Sequence, residues 1–275
     1  MHQSQLTAAD CVSEVIRGHN LNHVFERHFD QHRHITAQQK SVAIFLAYGA
    51  IRFLGENQFF IRKLINKKIT NKKIEALLCV ALYQLNHDQS RDFTVVNEAV
   101  EAAKLINKSW AGSFVNGVLR NFIRQKEKLQ TELKSHEEAF YSYPLWWIKL
   151  IKDHYHKDWE SILLYGNKHP PLTLRINIRK INLKQYEEKL KSEAIPYRIL
   201  GDVALELTQP IAVEKIPGFI DGEVSVQDFG AQLAAKLLDL KDGHICLDAC
   251  SAPGGKTGHM LEIADIELEI GRAHV

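Results

Sequence analysis

Through the first half of the chain apolar residues return at every third or fourth position, the spacing of one face of an α-helix. Ile74, Leu77, Leu78, Ala81, Leu82 and Leu85 keep this spacing, as do Phe114, Val115, Val118, Leu119, Phe122 and Ile123. Thr36-Ala37-Gln38-Gln39 reads as a capping box, in which the threonine hydroxyl accepts from a first-turn amide while Gln39 reaches back to the cap. The helix behind it carries Val42, Ile44, Phe45, Leu46, Tyr48, Ile51 and Phe53. That is too apolar for a surface element, so it is expected at the centre of the bundle. Residues from about 5 to 130 therefore predict one all-α bundle, without an internal repeat.

From residue 125 to 138 the chain is almost wholly polar, as expected where a helix runs into a connector. Pro144 stands where a first helical turn would start, ahead of Leu145, Trp146, Trp147, Ile148, Leu150 and Ile151. After Pro170-Pro171 the period becomes two. Leu172, Leu174, Ile176 and Ile178 alternate with Thr173, Arg175, Asn177 and Arg179, which predicts a half-buried strand with both arginines on its wet face. A helix over 183–190, strands over 197–200 and 203–207, and a Pro217-Gly218 turn complete a small α+β unit. Beyond it lie a short strand over 223–226, a helix over 228–238 and a buried strand over 245–247, which runs straight into a glycine turn. Strand, glycine turn and helix form the opening of a doubly wound α/β domain, with the ligand at the strand's carboxyl end.

With 275 residues, 45% apolar and 25% charged, the composition is globular and excludes a collagen-like, disordered or coiled-coil chain. No apolar run is long enough to cross a bilayer. The first ten residues lack a signal peptide's features, and four cysteines without a CxxC pair make no disulfide framework, so a reducing cytoplasm is expected. The net charge of +2 hides an asymmetry: residues 60–134 carry 14 basic and 7 acidic side chains, residues 201–275 carry 5 and 13. A basic middle and an acidic end fit a nucleic-acid-binding module joined to a different kind of domain, or solvated lysine-rich helix faces.

Gly255-Lys256-Thr257 invites comparison with a P-loop, but that motif needs a glycine at the position held by Cys250, and Pro253 removes an amide from any phosphate cradle. A GxGxxG fingerprint is absent as well. What remains is a turn in which Gly254 and Gly255 let the backbone approach a ligand, followed by a helix N-terminus that offers amides to a carboxylate. S-adenosylmethionine, which has an amino-acid carboxylate and no phosphate, suits such a site. The alternative is an α/β turn with no ligand. Asp248, at the strand end, is expected to orient the turn by hydrogen bonds rather than to transfer protons.

The run Leu247-Asp248-Ala249-Cys250-Ser251-Ala252-Pro253-Gly254-Gly255-Lys256-Thr257 resembles the cofactor motif of RNA cytosine-C5 methyltransferases. Val95-Val96-Asn97-Glu98-Ala99-Val100-Glu101-Ala102-Ala103-Lys104 and Phe114-Val115-Asn116-Gly117-Val118-Leu119-Arg120 resemble the two signatures of NusB-like RNA-binding domains. Pro170-Pro171-Leu172-Thr173-Leu174-Arg175-Ile176-Asn177 and Val224-Ser225-Val226-Gln227-Asp228 look like the segments leading into the methyltransferase domain. Their order is similar to that in the enzymes acting on small-subunit (16S) ribosomal RNA. The resemblance implies an all-α NusB-like domain over 1–138, a small α+β domain over 139–222 and, over 223–275, the start of a doubly wound, Rossmann-like methyltransferase domain.

By the same resemblance Cys250, Ser251, Ala252, Pro253, Gly254, Gly255 and Lys256 would surround the methionine moiety of S-adenosylmethionine, and 16S rRNA would be the partner, of a monomeric, metal-free enzyme. In this family a cysteine thiolate adds to C6 of cytosine so that C5 can take the methyl group, which requires an unpaired or extruded base. The family's catalytic cysteines lie on later strands of the methyltransferase domain, so none of Cys11, Cys79, Cys246 and Cys250 is assigned as nucleophile, and the chain as written is expected to be inactive. Lys67, Lys68, Lys72, Lys73, Arg120 and Arg124 in the bundle, with Arg175 and Arg179 on the strand, are candidates for phosphate contact. For each of them plain solvation is the alternative. His28, His32, His34, His154 and His156 have spacings a metal could use but lack accompanying carboxylates or thiolates, so exposed histidines are expected.

The ending breaks the pattern. Residues 266–269 look like a second strand, whereas Ile270-Gly271-Arg272-Ala273-His274-Val275 is what ATC-GGA-AGA-GCA-CAC-GTC encodes, a common sequencing-adapter run. The natural protein is therefore expected to continue past Glu269 with other residues. The rival from another class is a NusB-like RNA-binding or antitermination protein without catalysis, which would have no need of a cofactor turn.

Overall fold

A computed structural model of the chain describes residues 2–88, 91–209 and 211–270. Its contacts divide into two compact units, Met1–Lys168 and His169–Val275. Of the hexapeptide expected to be foreign, residues 271–275 lie outside the described residues.

The first unit is built of α1 (His2–Ile16), α2 (Leu21–Gln31), α3 (Ala37–Arg52), α4 (Leu54–Leu64), α5 (Lys72–His87), α6 (Asp92–Leu133), α7 (Glu137–Tyr141), α8 (Leu145–His154) and α9 (Trp159–Gly166). The capping box of Thr36 and Gln39 is formed as the sequence predicts. The central helix, however, is α5 rather than α3. Every residue from 76 to 85 in α5 is buried, because alanine, cysteine and valine interleave with its leucines and let helices close in from all sides. Phe45 and Tyr48 of α3 stay exposed, since α3 meets α1 and α5 along one side. Where α3 meets α5, a Cβ on Gly49 would lie 2.0 Å from the Tyr83 ring, so the approach requires glycine. Gln5 Nε2 donates to Gln84 Oε1 at 2.6 Å and to the Val95 carbonyl at 3.3 Å, tying α1 to α5 and α6.

The α6 helix folds back on itself. A Cβ on Gly112 would meet Val100 Cγ1 at 3.5 Å, whereas twelve residues of straight helix would separate the two positions by about 18 Å. Both arms enter one core, with Val95, Ala99 and Ala103 on the first and Val115, Leu119 and Phe122 on the second. A smaller cluster of Tyr141, Ile148, Ile151 and Leu163 joins α7, α8 and α9.

The second unit opens with an antiparallel sheet of β1 (Leu172–Ile176), β2 (Tyr197–Gly201), β3 (Ala204–Leu207) and β4 (Val224–Val226), in the order β2-β3-β1-β4. Leu174 pairs with Leu205 on one side and Val226 on the other. One face carries Leu174, Ile176, Leu205, Leu207 and Val224 against Tyr186 and Leu190 of α10 (Leu183–Ser192). The other face is not wet. It is covered by α11 (Phe229–Leu237) and α12 (Gly255–Ile263), so β1 is buried on both faces and the half-buried strand expected from its alternation is corrected. Alternation marked the two faces correctly but could not say that helices cover both.

After α11 comes β5 (Ile245–Asp248), which pairs in parallel with β6 (Glu267–Ile270) across α12. A parallel pair joined through a helix is the βαβ opening that the sequence predicts. The strand is less buried than expected: Ile245 is 72% and Leu247 66% exposed, because among the described residues β5 pairs with β6 alone.

Candidate cofactor site

Asp248, buried at the end of β5, closes the glycine turn from below. Its Oδ1 accepts from the Cys250 amide at 2.9 Å and its Oδ2 from the Thr257 hydroxyl at 2.7 Å, so one carboxylate joins the start of the turn to the first turn of α12. That is the orienting role expected of it. Gly254 caps α12 with φ +98, a left-handed conformation that favours glycine, and a Cβ there would meet nothing within 4 Å. The glycine is thus required by the backbone, and the space beside it is open. The amides of Gly255, Lys256 and Thr257 open the helix and have no intrahelical acceptor. Cys250, Ala252, Pro253 and Lys256 are exposed, and Ser251, Gly254 and Gly255 are half-buried. The turn therefore offers amides, one ammonium and open space to a carboxylate-bearing ligand, and these residues fit S-adenosylmethionine.

Arg175 is not on a wet face. It is 1% exposed, and its guanidinium is spent inside the unit: Nε and Nη2 donate to the Glu262 carboxylate at 2.8 and 2.7 Å, and Nη1 donates to the Gly255 carbonyl at 2.7 Å and to Gln227 Oε1. A guanidinium so enclosed has no face left for phosphate, which removes Arg175 from the expected RNA contacts. Beside it His259 is buried, with Nδ1 unpartnered, and its pKa is pushed down to about 4 by burial and then by the nearby Arg175 and Lys236 charges.

The other basic candidates reach the surface. Lys72 pairs with Glu75 and Lys73 with Asp10, both at 2.7 Å. Arg120 donates to Asn116 Oδ1 at 2.9 Å, and Arg179 pairs with Asp265 at 2.7 Å. Lys67 and Lys68 line a cavity of about 440 Å³ with Arg62 and Asn66, and the fold-back of α6 brings Asn97, Lys104, Asn116 and Arg120 around another of about 310 Å³. The two signature segments, ten residues apart in sequence, thus share one cleft. Burial pushes the Cys11 and Cys79 thiols up to about 12, which keeps them protonated and unreactive. Among the described residues no group of histidines, cysteines or carboxylates could hold a metal.

Residues 2–124 match the NusB family, and residues 143–214 match the RsmF/B-like methyltransferase ferredoxin-like domain. The chain carries a NusB-family domain followed by an RsmF/B-like ferredoxin-like domain. Its relatives include the probable ribosomal RNA small subunit methyltransferase B of Coxiella burnetii, 37% identical over 235 residues, which are 83% of this chain and 55% of that one. The ribosomal RNA small subunit methyltransferase B of Pseudomonas syringae pv. tomato is 36% identical over 264 residues, 94% of this chain and 58% of its own. The chain spans between half and two thirds of the length of these relatives. The crystal structure of PH0851 superposes with a TM-score of 0.66 at 21% identity, over 98% of this chain and 62% of that one, which shows a shared fold.

The sequence reading missed the partners of Arg175 beneath the ferredoxin-like sheet. Their signal was available in α12, where Gly255, Gly258, His259 and Glu262 fall at the i, i+3, i+4, i+7 spacing of a single helix face.

Proposed function

We propose that this chain supplies the cofactor-holding and RNA-holding parts of a methyltransferase that moves a methyl group from S-adenosylmethionine to C5 of a cytosine in 16S rRNA. The observation that carries this reading is the turn at the end of β5, where Asp248 locks both ends, a Cβ on Gly254 would meet nothing within 4 Å and the first amides of α12 lack intrahelical acceptors. The turn follows domains whose relatives are named ribosomal RNA small subunit methyltransferases. Cys250, Ser251, Ala252, Pro253, Gly254, Gly255 and Lys256 hold the cofactor, the α12 amides and the Lys256 ammonium taking its carboxylate. Bound S-adenosylmethionine supplies an electrophilic methyl group on a sulfonium.

Lys72, Lys73, Arg120 and Arg179 take RNA phosphates, which position the RNA without reading its sequence. The target base is unpaired or extruded. The division into 1–138, 139–222 and 223–275 then assigns RNA binding, linkage and cofactor binding in chain order, in a monomeric cytoplasmic protein without a metal. Titration calorimetry of the 275-residue chain with S-adenosylmethionine and with ATP tests the cofactor assignment. S-adenosylmethionine is expected to bind, and Gly254→Val, which forces a β-branched residue to positive φ, to weaken it at least tenfold. Binding of ATP but not S-adenosylmethionine would overturn the assignment.

A further inference from the structure

Arg175 sits on β1, whereas the groups it holds are on α12 and just after β4. A buried guanidinium is tolerated when its donors are taken, and Glu262 alone would balance its charge. The structure goes further. Nη1 reaches the carbonyl of Gly255, the first residue of α12, while Nε and Nη2 grip Glu262 in the last turn of the same helix. One planar fork therefore holds a backbone carbonyl from the first turn of α12 and a carboxylate from its last. The fork lies directly against this helix, since a Cβ on Gly258 would stand in van der Waals contact with Nη2, 3.5 Å away. The acceptor Gln227 is anchored in turn: its amide donates to the Thr173 carbonyl at 3.0 Å, and its carbonyl accepts from Gln232 Nε2 at 3.0 Å.

We propose that Arg175 is a positioning residue through which the four-stranded sheet sets the glycine turn, its hold on Gly255 and Glu262 fixing where the amides of Gly255, Lys256 and Thr257 point. The arrangement couples the ferredoxin-like domain, which itself has no cofactor turn, to the place where the cofactor is held. In its ligand-affinity consequence, though not in its structural one, the proposal rests on the cofactor reading above. Lysine cannot replace this fork, because an ammonium cannot hold Glu262 in a bidentate grip and reach Gly255 as well.

Hydrogen exchange of the ligand-free 275-residue chain tests the hold directly, with the segment 249–258 as readout and β1, residues 172–176, as the control for folding. Arg175→Lys is expected to speed exchange over 249–258 at least threefold while leaving β1 unchanged. The double variant Arg175→Met with Glu262→Met replaces the buried ion pair by apolar groups, which keeps the fold but removes the Arg175 bond to the Gly255 carbonyl and leaves that carbonyl its intrahelical donor alone. It is expected to speed exchange over 249–258 at least tenfold and to weaken S-adenosylmethionine at least tenfold, whereas Arg198→Met on the surface changes neither. Wild-type exchange over 249–258 in Arg175→Lys, or in the double variant with β1 intact, would show that Arg175 only fills the core and would overturn the proposal. Should the wild-type chain bind no S-adenosylmethionine, the cofactor reading fails, and the exchange result still decides the role of Arg175.

Discussion

Leu82, in the middle of α5, is fully buried, whereas Leu247, in β5, is two-thirds exposed one residue before the carboxylate that locks the turn. The contrast extends to their surroundings. Around Leu82 the NusB-family domain is held by non-directional apolar contact, in which each fully buried leucine contributes about 1.5–3 kcal/mol. Around Leu247 the chain path from β5 through α12 is set by aimed bonds: Asp248 to Cys250 and Thr257, and Arg175 to Gly255 and Glu262. A single such bond to a charged group nets about 1.5–3 kcal/mol, no more than one buried leucine, yet it fixes direction as apolar packing does not. Burial builds the scaffold here, and directed polar contacts aim the site.

The largest expected effect tests that contrast with one substitution made twice. Leu82→Ala removes a fully buried side chain from a close-packed helix and is expected to cost the first unit about 2–5 kcal/mol. Leu247→Ala is expected to cost less than about 0.5 kcal/mol, the range for exposed positions. All four tryptophans lie between residues 110 and 159, so fluorescence-detected urea unfolding reports the first unit by itself, and hydrogen exchange at β5 reports the second. Equal costs at the two leucines would erase the distinction.

The same contrast explains how much could be read from the sequence. Apolar period gave the all-α bundle, the strands of the ferredoxin-like domain and the βαβ opening, because burial writes itself into spacing, and the polar pair Thr36 and Gln39 gave the capping box. The turn was legible for a different reason: Pro253, Gly254 and Gly255 leave few backbone alternatives, and Asp248 stands where a strand-end carboxylate can bond both sides. What could not be read was tertiary covering. Arg175 alternates with leucine and isoleucine as a surface residue would, and nothing in its own strand announces that α12, whose polar face was legible by itself, will lie over it and present Glu262. Phe45 and Tyr48 err in the opposite sense, apolar in pattern yet left partly open to solvent.

His259 supplies an intermediate effect, since it is an ionisable group buried where the neighbouring Arg175 and Lys236 charges oppose a further positive charge. Its folded pKa of about 4 lies below the ordinary histidine value of about 6.5, so the unfolded chain takes up a proton that the folded chain refuses. The contribution to stability is therefore whole above pH 6.5 and is lost as the pH falls towards 4. At pH 5 the penalty comes to about 2 kcal/mol. His259→Leu should remove that dependence and bring the second unit's urea midpoints at pH 7 and pH 5 together, as followed by limited proteolysis. A wild-type second unit equally stable at both pH values would show that His259 titrates normally.

The smallest effect per residue is expected on the surface of the NusB-family domain, where direction matters least. Lys72 and Lys73 open α5 and are paired with Glu75 and Asp10, so an RNA phosphate must compete with a carboxylate for each ammonium. If both neutralise phosphates, Lys72→Gln and Lys73→Gln should each lower the slope of log affinity against log salt for 16S rRNA fragments by about 0.7–0.9. The loss should be alike for fragments of different sequence, because phosphate contacts carry no base information. Asp10→Asn should do the reverse, freeing Lys73 and raising affinity at low salt. A double lysine variant with an unchanged slope would move the RNA contact elsewhere on the helical unit, the cleft at the fold-back of α6 around Arg120 being the next place to measure.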